Sequence, residues 1–142
     1  MNHFQLILFI ILAPITAIGQ LVTNISMSPN VLVQNILNGT GVTISNVTYS
    51  GSAQAIGSFT AAGTNLGINS GIIMTTGTVQ NTVDGPHGPN NSPGTGIDNG
   101  VVGDGQLGAL AGGQTFNAAV LEFDFETCSD TVQFNYVFAS EE

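Results

Sequence analysis

The sequence predicts a mainly β protein, an antiparallel β-sandwich of jelly-roll type, incomplete at its C-terminus and carrying one short N-terminal helix near residues 29–38. Three observations predict it. Short apolar runs rich in β-branched residues recur between glycines, which is how strands are punctuated. No long helical pattern alternates with them, as βαβ units would require. Two late runs, "VLEFDFE" and "TVQFNYVF", alternate strictly between apolar and polar residues, the mark of strands with one buried face.

The chain opens on "FQLILFIILAPITAIG". This apolar run has the length of a signal-peptide core and falls short of the ~20 residues that span a bilayer. Ala17 and Gly19 put small residues at −3 and −1, so a signal peptide over 1–19 is expected, with cleavage before Gln20. The leading "MNHFQ" offers only the α-amino group and His3 as positive charge. An uncleaved anchor is the alternative, and either one takes the chain out of the cytoplasm. Residues 20–142 then make about one domain.

Ser28-Pro29 predicts a helix start, with Ser as N-cap and Pro at the first helical position. "NVLVQNIL" continues it and Gly39 or Gly41 ends it, with a strand over "VLV" as the competing reading. Period two follows in "VTISNVTY", broken at Ser45-Asn46 in a way that suggests a bulge or turn. "AIGSF" and "SGIIMTTG" predict further strands. From Gly77 to Gly105 the composition turns to Gly, Asn, Pro and Asp, predicting a long loop. "QLGALAG" has room for one or two helical turns.

At the end, a four-residue loop over Thr127–Asp130 would fold the two alternating runs into a hairpin. Phe125 would face Val132, Phe123 would face Phe134, and Leu121 would face Tyr136. On the other face Glu126 would meet Thr131, Asp124 would meet Gln133, and Glu122 would meet Asn135. Apolar meets apolar throughout, the agreement that fixes register. Phe138 then lies at an aromatic edge that "ASEE" is too short to cover, and open edges invite aggregation. Cys128 is the single cysteine, where exported domains usually pair theirs. It fits a buried small hydrophobe, a reactive thiol or half of a disulfide completed elsewhere. The uncovered edge and the lone cysteine favour a chain cut short.

Charge bounds the function. The chain has no Lys or Arg and 9 acidic residues, for a net charge of −9 and a pI of about 4.1. Nucleic-acid binding is excluded, because phosphate contacts need basic side chains, and anionic membrane surfaces repel such a chain. No direct membrane insertion is expected once the signal is removed. An apolar content of 42% is too high for a disordered acidic tail.

Three separated blocks, "LVQNILNGTGVTISNVTYSGSAQAIGSF", "LGINSGIIMTTG" and "AAVLEFDFETCSDTVQFNYVFASEE", resemble the choice-of-anchor L domain family over Pro29–Glu142. The resemblance implies an exported bacterial protein of the Bacteroidetes type, and an N-terminal surface-displayed or secreted β-rich module within a longer chain. It implies no catalytic residue and leaves the stretch at 77–105 as a variable region.

Two constellations carry potential chemistry. Glu122, Asp124 and Glu126 share one strand face at a spacing of about 7 Å. With no basic residue to pair them, they form either a solvated outer face or part of a Ca²⁺ site. Such a site would be completed by Gln133 or Asn135 and by Asp84, Asp98, Asn99 and Asp104 from the long loop. A Ca²⁺ ion takes 6–8 oxygens, so adjacent strand positions alone do not suffice. The same Glu-x-Asp-x-Glu spacing is similar to that of jelly-roll β-glucanases, implying Glu122 as nucleophile and Glu126 as acid/base in an alternative, hydrolytic reading. Phe123 stands where an aliphatic is usual there, and no Trp is present to stack on a sugar. His87 reads as a polar loop residue. The function that the family resemblance and the export signal imply is non-enzymatic: secreted or cell-surface adhesion, display or matrix association, with a glycan or protein ligand.

Overall fold

The computed structural model describes residues 21–80 and 98–139. The signal peptide and its cleavage site lie outside the described residues, as do 81–97 of the long loop, with Asp84 and His87. What is described is mainly β, in two open antiparallel sheets joined by short helical pieces.

The helix begins where Ser28-Pro29 placed it. Ser28 is extended (φ −68°, ψ 155°) and its hydroxyl accepts the Val31 N–H, with Pro29 at the start. Helix α1, Pro29–Leu32, runs on as a π-helical turn over Val33–Leu37. Leu32 and Val33, at that junction, are fully buried. The segment contacts β2 (Val42–Ser50) of one sheet and β3 (Ile56–Thr60) and β4 (Ser70–Met74) of the other, so the main contacts between the sheets run through it. Gln34 strengthens the joint, its Nε2 donating to the Ile44 carbonyl at 3.0 Å.

The three-stranded sheet has the order β1–β3–β4, with β1 spanning Val22–Asn24, and both pairings are antiparallel. Strand β1 is three residues long and carries no readable alternation. It approaches β3 closely: a Cβ on Gly57 would sit 2.6 Å from the Asn24 carbonyl oxygen. A 3₁₀ turn over Ala53–Ala55, capped by Ser52, leads from β2 into β3. Among the described residues the buried apolar side chains are Leu32, Val33, Ile44, Ala55, Ile56, Ala61 and Val79. Thr23 Oγ1 is buried in the β1–β3 region without a hydrogen-bond partner.

The second sheet pairs β2 with β5 (Val120–Thr127). This corrects the expected hairpin. Among the described residues no strand forms over 131–139, and the alternating face of β5 is matched by β2 instead. Phe125 lies opposite Ile44 and Leu121 opposite Tyr49, while Glu126, Asp124 and Glu122 lie opposite Thr43, Ser45 and Thr48. The physical reason is that alternation fixes which face a residue takes, not which neighbour it meets. Strand β2 carries the same alternation as Val132–Phe138, with hydroxyls where the acids need polar neighbours. The bond from Cys128 N–H to the Gly41 carbonyl carries the pairing past the end of β5.

The long loop is fastened at its described ends. Asn99 Nδ2 donates to the carbonyls of Thr76 (3.2 Å) and Gly77 (2.7 Å). A bridge between Val102 and Phe116 returns the chain towards β5. Between them lies α2, Gly105–Ala111, two turns capped by Asp104 and stopped by Gly112 at φ 66°. A left-handed residue just past the last turn is a common helix stop, and glycine adopts it without a Cβ penalty.

Candidate functional site

Strand β5 organises the most distinctive surface. Its acidic row, Glu122, Asp124 and Glu126, is exposed, as expected of the outer face. Opposite Phe123, strand β2 bulges between Ser45 and Thr48, at the break in alternation visible in the sequence. Asn46 takes φ 50° there, a left-handed conformation that Asn adopts more readily than most residues. The bulge aims Asn46 Nδ2 at Asp124 Oδ2, 2.6 Å away. The middle acid of the row is thus held by an amide donor, which the chain supplies in place of a cation.

An open depression of about 720 Å³ lies alongside, lined by every residue from Leu121 to Phe125 together with Asn46 and Phe134. Successive strand residues point to opposite faces, so a hollow lined by five in a row follows the strand itself rather than one face. Phe134 reaches it by packing edge-on against Phe125, with ring centroids 6.1 Å apart and planes at 75°. Neither Asn46 nor Phe134 was assigned to a site from the sequence. The broken period at Ser45-Asn46 was the available signal for the first. For the second it was the expected hairpin, which set Phe134 beside β5 opposite Phe123, one same-face position from the Phe125 it packs against.

The loop acids serve the backbone. Asp104 Oδ1 accepts the N–H groups of Gln106 and Leu107, each at 2.9 Å, and so caps α2. Asp98 Oδ1 accepts the Gly100 N–H at 2.8 Å. That bond, with a second from the Asn117 side chain, holds the Asp98 carboxyl below its ordinary value against a small opposing desolvation. Among the described residues no three His, Cys, Asp or Glu side chains come together as a metal-holding group. The five residues expected as Ca²⁺ ligands are therefore distributed between one strand face and two loop caps.

Glu122 and Glu126 stand four residues apart on β5, whose partner β2 carries the bulge. Extended backbone separates them by about 13 Å. Retaining hydrolysis uses carboxyl groups about 5–5.5 Å apart and inverting hydrolysis about 6.5–9.5 Å. The backbone does not converge them as a glycosidase pair. Cys128 carries an exposed free thiol, which departs from the expectation of a buried small hydrophobe.

The family model of the choice-of-anchor L domain matches residues 21–142. The chain belongs to the choice-of-anchor L domain family. No curated protein and no solved structure matches it. Membership makes this chain a surface-related or exported module of a family not known for catalysis. The match takes in both sheets, the helical segment and β5 with its depression. Among the described residues of this choice-of-anchor L domain no helix is long and apolar enough to cross a membrane.

Proposed function

We propose that the chain is an exported, non-enzymatic surface module that serves adhesion, display or matrix association. The observation that carries this reading is the family match across residues 21–142. The electrostatics support it. With 9 acids and no Lys or Arg, the surface repels nucleic acids and anionic lipid and leaves neutral glycans and proteins as ligands. The depression along β5 supports it as well, because aromatic edges beside polar groups are the usual ingredients of a recognition surface. The test has two parts. Antibody against the chain, applied to intact cells of the source organism, should label them or be depleted by their culture medium; label that appears only after lysis would sink the export reading. Labelled protein on arrays of neutral glycans and matrix proteins should then bind at least one class, and Phe134→Ala should weaken that binding. Failure of every class on the arrays would refute the adhesive role while leaving export standing.

A further inference from the structure

The sequence holds the Asn-Gly pair twice, at Asn38-Gly39 and at Asn99-Gly100. The pair has its own chemistry. Glycine has no Cβ to shield its backbone nitrogen, and its conformational freedom lets that nitrogen reach the side-chain carbonyl of the preceding asparagine. The fold puts the two copies in opposite settings.

At the first pair the reacting groups are open. Asn38, Gly39 and Thr40 are all exposed. Asn38 ends the π-helical turn in an extended conformation (φ −74°, ψ 98°). The next turn is closed by the Val42 N–H on the Gly39 carbonyl at 3.2 Å, with Gly41 at φ 77°, so the Gly39 N–H lies outside it. Among the described residues neither that N–H nor the Asn38 side-chain amide has a hydrogen-bond partner. A Cβ on Gly39 would meet nothing within 4 Å.

At the second pair both groups are held. Asn99 Nδ2 donates to the carbonyls of Thr76 at 3.2 Å and Gly77 at 2.7 Å. The Gly100 N–H donates to Asp98 Oδ1 at 2.8 Å. A carboxylate bonded to that N–H opposes loss of its proton, the step that would make the nitrogen a nucleophile.

We infer that Asn38 is a self-modification site, deamidated through Gly39 to aspartate and isoaspartate, and that the fold shields Asn99 from the same reaction. Hydroxide takes the proton of the Gly39 N–H, and the nitrogen attacks Asn38 Cγ. The new N–C bond closes a succinimide ring, the Cγ–Nδ2 bond breaks, and ammonia leaves after taking a proton from water. Water then opens the ring at either carbonyl. The sum is amide plus water to acid plus ammonia, with nothing oxidised or reduced. Each event adds one negative charge to a chain that already carries a net −9. The isoaspartate form also inserts one extra backbone carbon between the helical segment that joins the sheets and β2. This goes beyond the surface role and does not depend on it.

The experiment follows the full chain in mildly alkaline buffer, folded and in urea, by mass spectrometry of chymotryptic peptides. Trypsin has no site in a chain without Lys or Arg. In urea the two pairs should convert at similar rates. In the folded chain Asn99 should lag Asn38 at least about tenfold, because three hydrogen bonds have to open first. Isoaspartate should accompany aspartate at position 38. Gly39→Ala should slow Asn38 severalfold and keep the parent's circular dichroism and melting temperature, since its Cβ has room. Asp98→Ala frees the Gly100 N–H and should speed Asn99 severalfold with Asn38 unchanged. Folded-state conversion of Asn38 no faster than that of Asn99 overturns the inference. Aspartate alone at position 38 also overturns it, because direct hydrolysis would then bypass the ring. An Asn99 rate indifferent to Asp98→Ala overturns the assigned shielding.

Discussion

Leu32 is where the two sheets are joined, and its truncation tests that architecture. It is 0% exposed and sits at the end of α1, which contacts β2 of one sheet and β3 of the other. Leu32→Ala removes three carbons. At ~0.8 kcal/mol per buried methylene-sized group the transfer cost is about 2.4 kcal/mol. Whatever volume the neighbours fail to fill adds ~24 cal/mol per Å³. A loss of about 3 kcal/mol follows, a large part of the ~5–15 kcal/mol that holds a domain together. In urea unfolding the midpoint should fall with the slope unchanged, and the melting temperature should drop by roughly 10 °C. The matched control is Leu110→Ala in α2, where the side chain is 85% exposed and the change should stay within about 0.5 kcal/mol. If the two substitutions cost the same, the helical segment does not carry the core, and the description of the sheets as joined through it is wrong.

Two local predictions follow from named bonds. Asp104→Ala removes the acceptor for two backbone N–H groups of α2; about 1 kcal/mol should be lost, with faster hydrogen exchange over 105–111, while Asp104→Asn should restore most of it. Burial holds the Tyr49 hydroxyl above its ordinary value of 10.0, where it donates to the Ser52 carbonyl at 2.8 Å. The folded chain then keeps this proton longer than the unfolded chain. Its contribution to stability is complete below pH ~10 and is lost as pH rises through the folded value. Alkaline urea titrations should show that decline, and Tyr49→Phe should flatten it; equal slopes in the two proteins would refute the assignment.

How far the sequence could be read depended on the range of the interaction. Ser28-Pro29 was legible because a cap is settled within four residues. Four of the five described strands were legible locally, β2 and β5 from alternation and β3 and β4 as apolar runs bounded by glycine, and the bulge at Asn46 from the interruption of the period. The three residues of β1 were too few to carry a period, and nothing local marks the passage of α1 into a wider turn. The hairpin failed for a different reason. Its register was internally consistent, but β2 offers β5 a second consistent register from about eighty positions away, and no local rule ranks the two. The acidic row was placed on the correct face. Asp98 and Asp104, read as candidate Ca²⁺ ligands, have carboxylates that accept backbone N–H bonds; Asp104 ahead of "GQLGALAG", with Gly112 behind it, was a readable helix start and stop.

Asn99 gives the loop between the two sheets a further consequence. Its amide spans the carbonyls of Thr76 and Gly77, so the ends of the intervening stretch are tied by a residue outside it. Lengthening a chain segment whose ends are already fixed is inexpensive, only ~0.6 kcal/mol for each doubling. The domain therefore carries a built-in cassette: with the buried Thr78 and Val79 retained, sequence between Gln80 and Asp98 can be exchanged, lengthened or replaced by an epitope while both sheets keep their places.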